Sequence, residues 1–432
     1  MRTMRAAIAA LALGLVLVAA GCGSGTAATS PSSGTDAASF VPASALAYVS
    51  ADANLDSESW QIVKDLFGPI GGGVDYKNDI KPALGDRVNL AVLRVDNGKP
   101  EAVALVKPTD DAKLAALAKK FDRGTEHYTV EKIGGWSVVA DSAENFQAVR
   151  NADSGNALAD SPDFKSAMSQ VGAAGFATAY ASASGVQQLP PKLRALVRVA
   201  GSPRWAAAGI NVDKHAVHLE TRAVGGSTPP AYQPALLRDV PSGAILAVSF
   251  KDVNQLLARI QAEPTLRASI PPLVTGLRSL GGEGVLYLLQ GTLLPVVTLE
   301  VQPADPAAAA TSLRALAAKA ERVLPLRVER RGKKVLLTNA PPGFSPGSAS
   351  LVDDQPFKDA LAAADVPAKV TWLAYADIQR LGPILQALAS LTGKGQTKPS
   401  TTVKLEKFGT LVAFGARNSG SSTSLEARLT IR

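Results

Sequence analysis

Residues 41–50, VPASALAYVS, return as residues 240–249, VPSGAILAVS, 199 positions further on. Pro100, Val106, Pro108 and Asp110 return as Pro295, Val301, Pro303 and Asp305, at a shift of 195. Val130-Glu131 with Gly134 matches Val328-Glu329 with Gly332, at 198. Leu158 with Phe164-Lys165 matches Leu351 with Phe357-Lys358, at 193. Leu219-Glu220 with Arg222 matches Leu425-Glu426 with Arg428, at 206. Near-constant shifts along the whole length imply one module written twice. The final rise to 206 implies an insertion in the second copy. The polar run 392–402, TGKGQTKPSTT, suits it as a surface loop.

Each module alternates strand and helix signals in the same order. Ala45 to Ala51 reads as a strand, and Ser57 is placed to cap a helix through Phe67, with Trp60, Val63 and Leu66 on one face. Val88–Val95 and Ala102–Lys107 are strands joined by the hairpin turn Asn97-Gly98. Asp110 starts a helix with Leu114, Leu117 and Phe121 inward, and Asp305-Pro306 repeats that start. Tyr128–Ile133 and Trp136–Asp141 form a hairpin across Gly134-Gly135. Two short helices, a strand near Tyr180 and a helix through Leu196 follow. Strands Trp205–Val212 and Ala216–Ala223 close the module. The hairpins imply the α+β class: two tandem duplicated domains, each a largely antiparallel sheet with helices packed on one face. The expected organisation is a first module at 40–222, a Gly/Ser/Pro-rich linker at 223–238 and a second module at 239–432.

Ahead of the modules stands an export signal. Arg2 and Arg5 precede the apolar run Ala6 to Val18, then come Ala19, Ala20, Gly21 and Cys22. Residues 1–21 read as a signal peptide, and 22–39, small and polar, as a flexible tether. Cys22 is the sole cysteine, so disulfides cannot staple the fold. A sole cysteine after small residues at the end of such a signal resembles the lipobox of bacterial lipoproteins, although Ala19 stands where that pattern usually has Leu. The resemblance implies acylation of Cys22 by palmitate-type chains and a stable anchor at the extracytoplasmic face of the cell membrane.

The formal charge of +8 falls to +6 once Arg2 and Arg5 are removed. A mild, dispersed excess suits an anionic envelope surface and is no nucleic-acid signature.

The V-P-A-S-A-L-A-Y-V opening at Val41, its echo at Val240 and the lipobox together resemble exported proteins of high-GC actinobacteria, a family known only as a domain of unknown function. That resemblance spans most of Phe40 to Arg432 and implies no particular activity or catalytic residues.

Motifs of chemistry are few. Gly343-Phe344-Ser345-Pro346-Gly347 fits G-x-S-x-G. An oxyanion hole needs the N–H of the residue after the serine, and Pro346 has none. His215 and His218, three apart on a strand, point to opposite sides; His218, Glu220 and Arg222 then share a solvated polar face. His127 has no local partner. Gly393-Lys394-Gly395 lacks the flanking residues of a phosphate loop, and Asp75, Asn78 and Asp79 fit no calcium loop. No catalytic set, cofactor or metal site is expected from these. Arg327, Arg330, Arg331, Lys333 and Lys334 crowd a hairpin tip around Gly332. They are candidates for contact with anionic headgroups, each charge worth about 1 kcal/mol near a membrane surface.

These readings imply a lipid-anchored, non-enzymatic envelope protein that binds or carries an apolar ligand, lipid included, in a cleft between sheet and helices. The alternative is a scaffold that binds a protein partner in an envelope assembly. A hydrolase whose site is dispersed through the sequence is the third reading.

Overall fold

The computed structural model describes residues 35–67, 78, 80–96, 99–122, 127–171, 175–189, 191–226, 229–267, 280–291, 295–320, 325–344, 347–391, 404–417 and 422–432. The leader, Cys22, the Asn97-Gly98 turn and the run 392–402 lie outside them. The chain divides into two compact units, the first extending to Gly226 and the second covering 227–432.

The first unit carries β1 (Ala47–Asp52), β2 (Arg87–Asp96), β3 (Lys99–Val106), β4 (Thr129–Ile133), β5 (Trp136–Ala140), β6 (Ala177–Ser182), β7 (Trp205–Val212) and β8 (Ala216–Val224). They lie side by side in the order β4-β5-β3-β2-β1-β6-β7-β8, and every pairing in that order is antiparallel. The second carries β9 (Leu246–Lys251), β10 (Glu283–Leu289), β11 (Val296–Gln302), β12 (Arg327–Arg331), β13 (Lys334–Thr338), β14 (Trp372–Asp377), β15 (Phe408–Arg417) and β16 (Ser422–Ile431). Their order, β12-β13-β11-β10-β9-β14-β15-β16, is that of the first unit, again antiparallel throughout. The α+β class is therefore observed.

Local chemistry explains the element boundaries. Asp110 accepts the Lys113 N–H at 3.0 Å and starts helix Asp111–Lys119. Asp305 accepts the N–H groups of Ala307 and Ala308 and starts helix Pro306–Ala320. At the β4–β5 turn, Gly134 and Gly135 both have positive φ. Gly85 and Gly282 are required for a second reason. A Cβ on either would stand 2.2 or 2.4 Å from the carbonyl oxygen of Lys107 or Gln302, and both have positive φ.

One face of each sheet is closed by aromatic packing. Phe164 of helix Pro162–Gln170 meets Tyr180 edge-on, 5.2 Å between centroids at 82°. Phe357 of helix Gln355–Ala363 meets Tyr375 at 5.0 Å and 80°. Burial pushes both tyrosine hydroxyls up to about 12. The entry to each sheet is pinned alike. Leu158 donates its N–H to the Val41 carbonyl at 2.6 Å, and Leu351 donates to Val240 at 2.8 Å.

Four expectations need correction. Helices cover both faces of each sheet, not one. Phe146, Val149 and Phe164 pack on Val103, Leu105 and Val138, whereas Leu114 and Leu117 pack on Val106 from the other side. In the second unit Phe357 packs on one face, and Leu313 and Leu316 on Val335 and Leu337 of the other. The cause is that β3 and β13 are apolar on both sides, so neither side is stable in water. The polar face of β8 is not solvated. Helix Pro162–Gln170 packs across β6, β7 and β8, leaving Arg222 3% exposed and paired with Glu220. The tether ends earlier than Ser39, because Ala37 and Ala38 are fully buried in the first core. Of the stretch expected as linker, Ala223 and Val224 complete β8, and Leu236 and Leu237 lie in the second core.

Phe164→Ala and Phe357→Ala should each cost about 3–5 kcal/mol, the usual range for deleting a buried aromatic ring. Chemical denaturation checks this; a loss under about 1 kcal/mol would show that the ring contact does not hold its helix.

Candidate functional site

Residues between the buried positions of the second unit point to the opposite face. Cross-strand pairing aligns Leu299, Leu286, Val248, Ala374, Ala413 and Ala427 in one continuous row. All six are half-buried. Leu246, Leu411 and Leu429 lie in the adjacent row on the same face and are half-buried too. At the Leu299 end the row passes to Leu337, which lies under helix Pro306–Ala320. The first unit forms the corresponding row through Leu90, Val49, Ala179 and Ala208. There Val49, Ala179 and Ala208 are 4%, 2% and 1% exposed, and the neighbouring Ala181, Ala206 and Ala223 are closed over by Val186, Leu189 and Val197. The same three places in the strand order, Val248, Ala374 and Ala413, are closed in one unit and half open in the other. An aliphatic row with alanines along it offers a shallow apolar bed, which suits an apolar chain.

The basic hairpin is largely neutralised. Arg327 and Arg331 both pair with Glu329, at 2.9 and 2.7 Å. Lys334 turns away from the tip, its Nζ 2.6 Å from Asp239 and 3.6 Å from Glu300. Arg330 and Lys333 are exposed and have no carboxylate partner among the described residues. The cluster legible in the sequence is thus two outward cations and three engaged ones.

Asp239 and Glu300, which no sequence motif flagged, complete a charged trio with Lys334. Glu300 is 4% exposed. Burial, reinforced by Asp239, pushes its carboxyl above the ordinary 4.5, and Lys334 opposes that. Lys334 itself is held above its usual value by Asp239 and Glu300, against the effect of burial. Tyr287 nearby is raised by burial. In the first unit the corresponding places are Phe40, Leu105 and Trp136, packed together in the apolar core. The signal that could have found the trio lies in the matched stretches, where Phe40, Leu105 and Trp136 of the first unit align with Asp239, Glu300 and Lys334 of the second.

The remaining motifs stay apart. Gly343 has φ +80° and Phe344 packs against the second core; Ser345 and Pro346 lie outside the described residues. His127 sits 3.3 Å from Asp122 on the exposed surface. His215 is exposed, and its N–H donates to Asp213 in the β7–β8 turn. Asn78 is exposed, while Asp75, Asp79 and the 393–395 run lie outside the described residues. Among the described residues no three His, Cys, Asp or Glu side chains converge as metal ligands, and no helix is long and apolar enough to cross a membrane.

Comparison with protein-family models, curated proteins and solved structures gives no significant match.

A raised folded value for Glu300 means that the folded chain binds this proton more tightly than the unfolded chain. The stability it contributes is present below about pH 4.5 and is lost as pH rises through the folded value. Glu300→Gln should therefore raise Tm at neutral pH and flatten that decline. A lower neutral Tm in the variant would show instead that attraction to Lys334 outweighs desolvation.

Proposed function

We propose that this chain is a lipid-anchored protein of the extracytoplasmic envelope, built from two copies of one module, and that its second copy binds an apolar ligand. The observation that carries the binding reading is the stretch Val248–Ala374–Ala413 of the row, half open where Val49, Ala179 and Ala208 of the first unit are closed. Leaving three aliphatic side chains partly in water sacrifices burial that the first unit achieves with the same strand order. A ligand lying there restores it.

The two-copy reading is supported by the shared strand order, the paired Phe–Tyr contacts and the two glycines that face a strand carbonyl. It is supported equally by the five sets of sequence matches. The anchor reading rests on the lipobox-like run ending at Cys22. Arg330 and Lys333, exposed at the β12–β13 turn, are the cations available to anionic headgroups, adding about 1 kcal/mol each near such a surface. No step of bond-making chemistry is assigned to the protein.

Native mass spectrometry of the full protein extracted from its own envelope, followed by organic extraction, tests the binding reading. A stoichiometric apolar molecule is expected, and Ala374→Trp, which fills the row, should remove it without lowering Tm. An empty wild-type protein would overturn the reading. Cys22→Ser should move the protein from the membrane fraction to the soluble extracytoplasmic fraction; unchanged fractionation would overturn the anchor.

A further inference from the structure

Beside the row, on the same face, runs a second line of residues. Gly284 pairs with Phe250, Phe250 with Trp372, and Trp372 with Gly415. Each stands two positions along its strand from Leu286, Val248, Ala374 or Ala413, and so shares their face. Phe250 and Trp372 are half-buried, and each ring lies across a glycine of the neighbouring strand. A Cβ on Gly284 would stand 2.4 Å from the Phe250 ring, and one on Gly415 would stand 2.5 Å from Nε1 of Trp372. The same point above Gly415 is 2.5 Å from Oγ1 of Thr371. An indole N–H and a hydroxyl therefore converge at the edge of the apolar row. Thr371 is 4% exposed, and its Oγ1 has no hydrogen-bond partner among the described residues. Buried polar atoms are almost always paired, so this hydroxyl needs an explanation.

The first unit sharpens the point. Its corresponding line is Val88, Ala51, Ala177 and Ile210. Phe176 precedes β6 and donates its N–H to the Ile210 carbonyl, as Thr371 precedes β14 and donates to the Gly415 carbonyl. The two residues thus hold the same place. Phe176 packs edge-on against Trp60 of helix Glu58–Phe67, with 4.9 Å between centroids. Where one unit has a contact between two rings, the other has a buried hydroxyl beside an indole N–H.

We infer that the ligand of the second unit is an apolar chain carrying one neutral carbonyl, held above Gly415 by Nε1 of Trp372 and Oγ1 of Thr371. The indole N–H can only donate, so it requires an acceptor. A carbonyl oxygen has two lone pairs and accepts from both groups, whereas a ligand hydroxyl would bring a third hydrogen to the same place. Both protein donors are neutral, and a carboxylate buried against them would gain no countercharge from either. The chain then lies along Val248, Ala374 and Ala413, with its carbonyl at the aromatic edge. An apolar bed with a few convergent polar groups is the ordinary design of a small-molecule site. The inference rests on the apolar-ligand reading above and adds the polar group that the ligand carries.

The test is equilibrium binding of 2-hexadecanone and of hexadecane, which differ only in the carbonyl, to the delipidated protein. Wild type is compared with Thr371→Val, which removes the hydroxyl at constant shape, and Trp372→Phe, which keeps a ring and removes the N–H. Wild type should bind both probes, the ketone roughly tenfold more tightly, the scale of one or two hydrogen bonds. In each variant that preference should largely disappear. The ligand-free Tm of Thr371→Val should equal or exceed that of wild type, because a buried hydroxyl without a partner is lost. If wild type binds the two probes alike, or both variants keep the preference for the ketone, the carbonyl assignment falls while the apolar-ligand reading stands. If wild type binds neither probe, both fall.

Discussion

The edge-on contact between a helix phenylalanine and a strand tyrosine, Phe164 on Tyr180 and Phe357 on Tyr375, fixes what each unit can do with its two sheet faces. Side chains along a strand alternate. Once Tyr375 commits to the aromatic core, Ala374 and Ala376 must look the other way. The antiparallel register then carries that choice across neighbouring strands, from Val248 to Ala374 to Ala413. One contact, propagated by pairing, creates both a closed core and an apolar second face. What covers that second face is what distinguishes the two units.

Where the units differ, the second substitutes polar groups for apolar ones. Phe40, Leu105 and Trp136 correspond to Asp239, Glu300 and Lys334. Buried charges do not favour stability; replacing such groups by packed hydrophobes is often neutral or stabilising. The first unit already holds the packed hydrophobes. At these positions the second unit carries the costlier groups, which meet where Lys334 of β13 reaches Asp239 and Glu300 of β11.

Much of the fold was legible in the sequence. The stretches matched at shifts 199 and 195 fall on like elements: β1 and β9 are both strands, and Asp110 and Asp305 both start helices. Turn chemistry at Gly134-Gly135 located a hairpin to within a residue. Two-sided coverage was harder to read, because alanine satisfies a buried face and a half-open one alike. Ala179 is closed and Ala374 is not, yet the letters are the same. The charged trio was half legible: Lys334 stood out within a basic run, whereas Glu300 joins it through the pairing of β11 with β13 and Asp239 from the end of the short helix Ala235–Arg238, 95 residues away. The tight run of arginines suggested a free cationic tip. Glu329, sitting between Arg327 and Arg331 on the same strand face, neutralises much of it.

The central claim is that the second face of the second unit is where an apolar chain lies. Photolabelling with a diazirine-bearing palmitoyl chain, followed by peptide mapping, reads that position directly. Labels should concentrate on peptides containing Leu246–Lys251, Glu283–Leu289 and Trp372–Asp377, and the corresponding strands of the first unit should stay unlabelled. Labels distributed over both units in proportion to surface exposure would contradict the account.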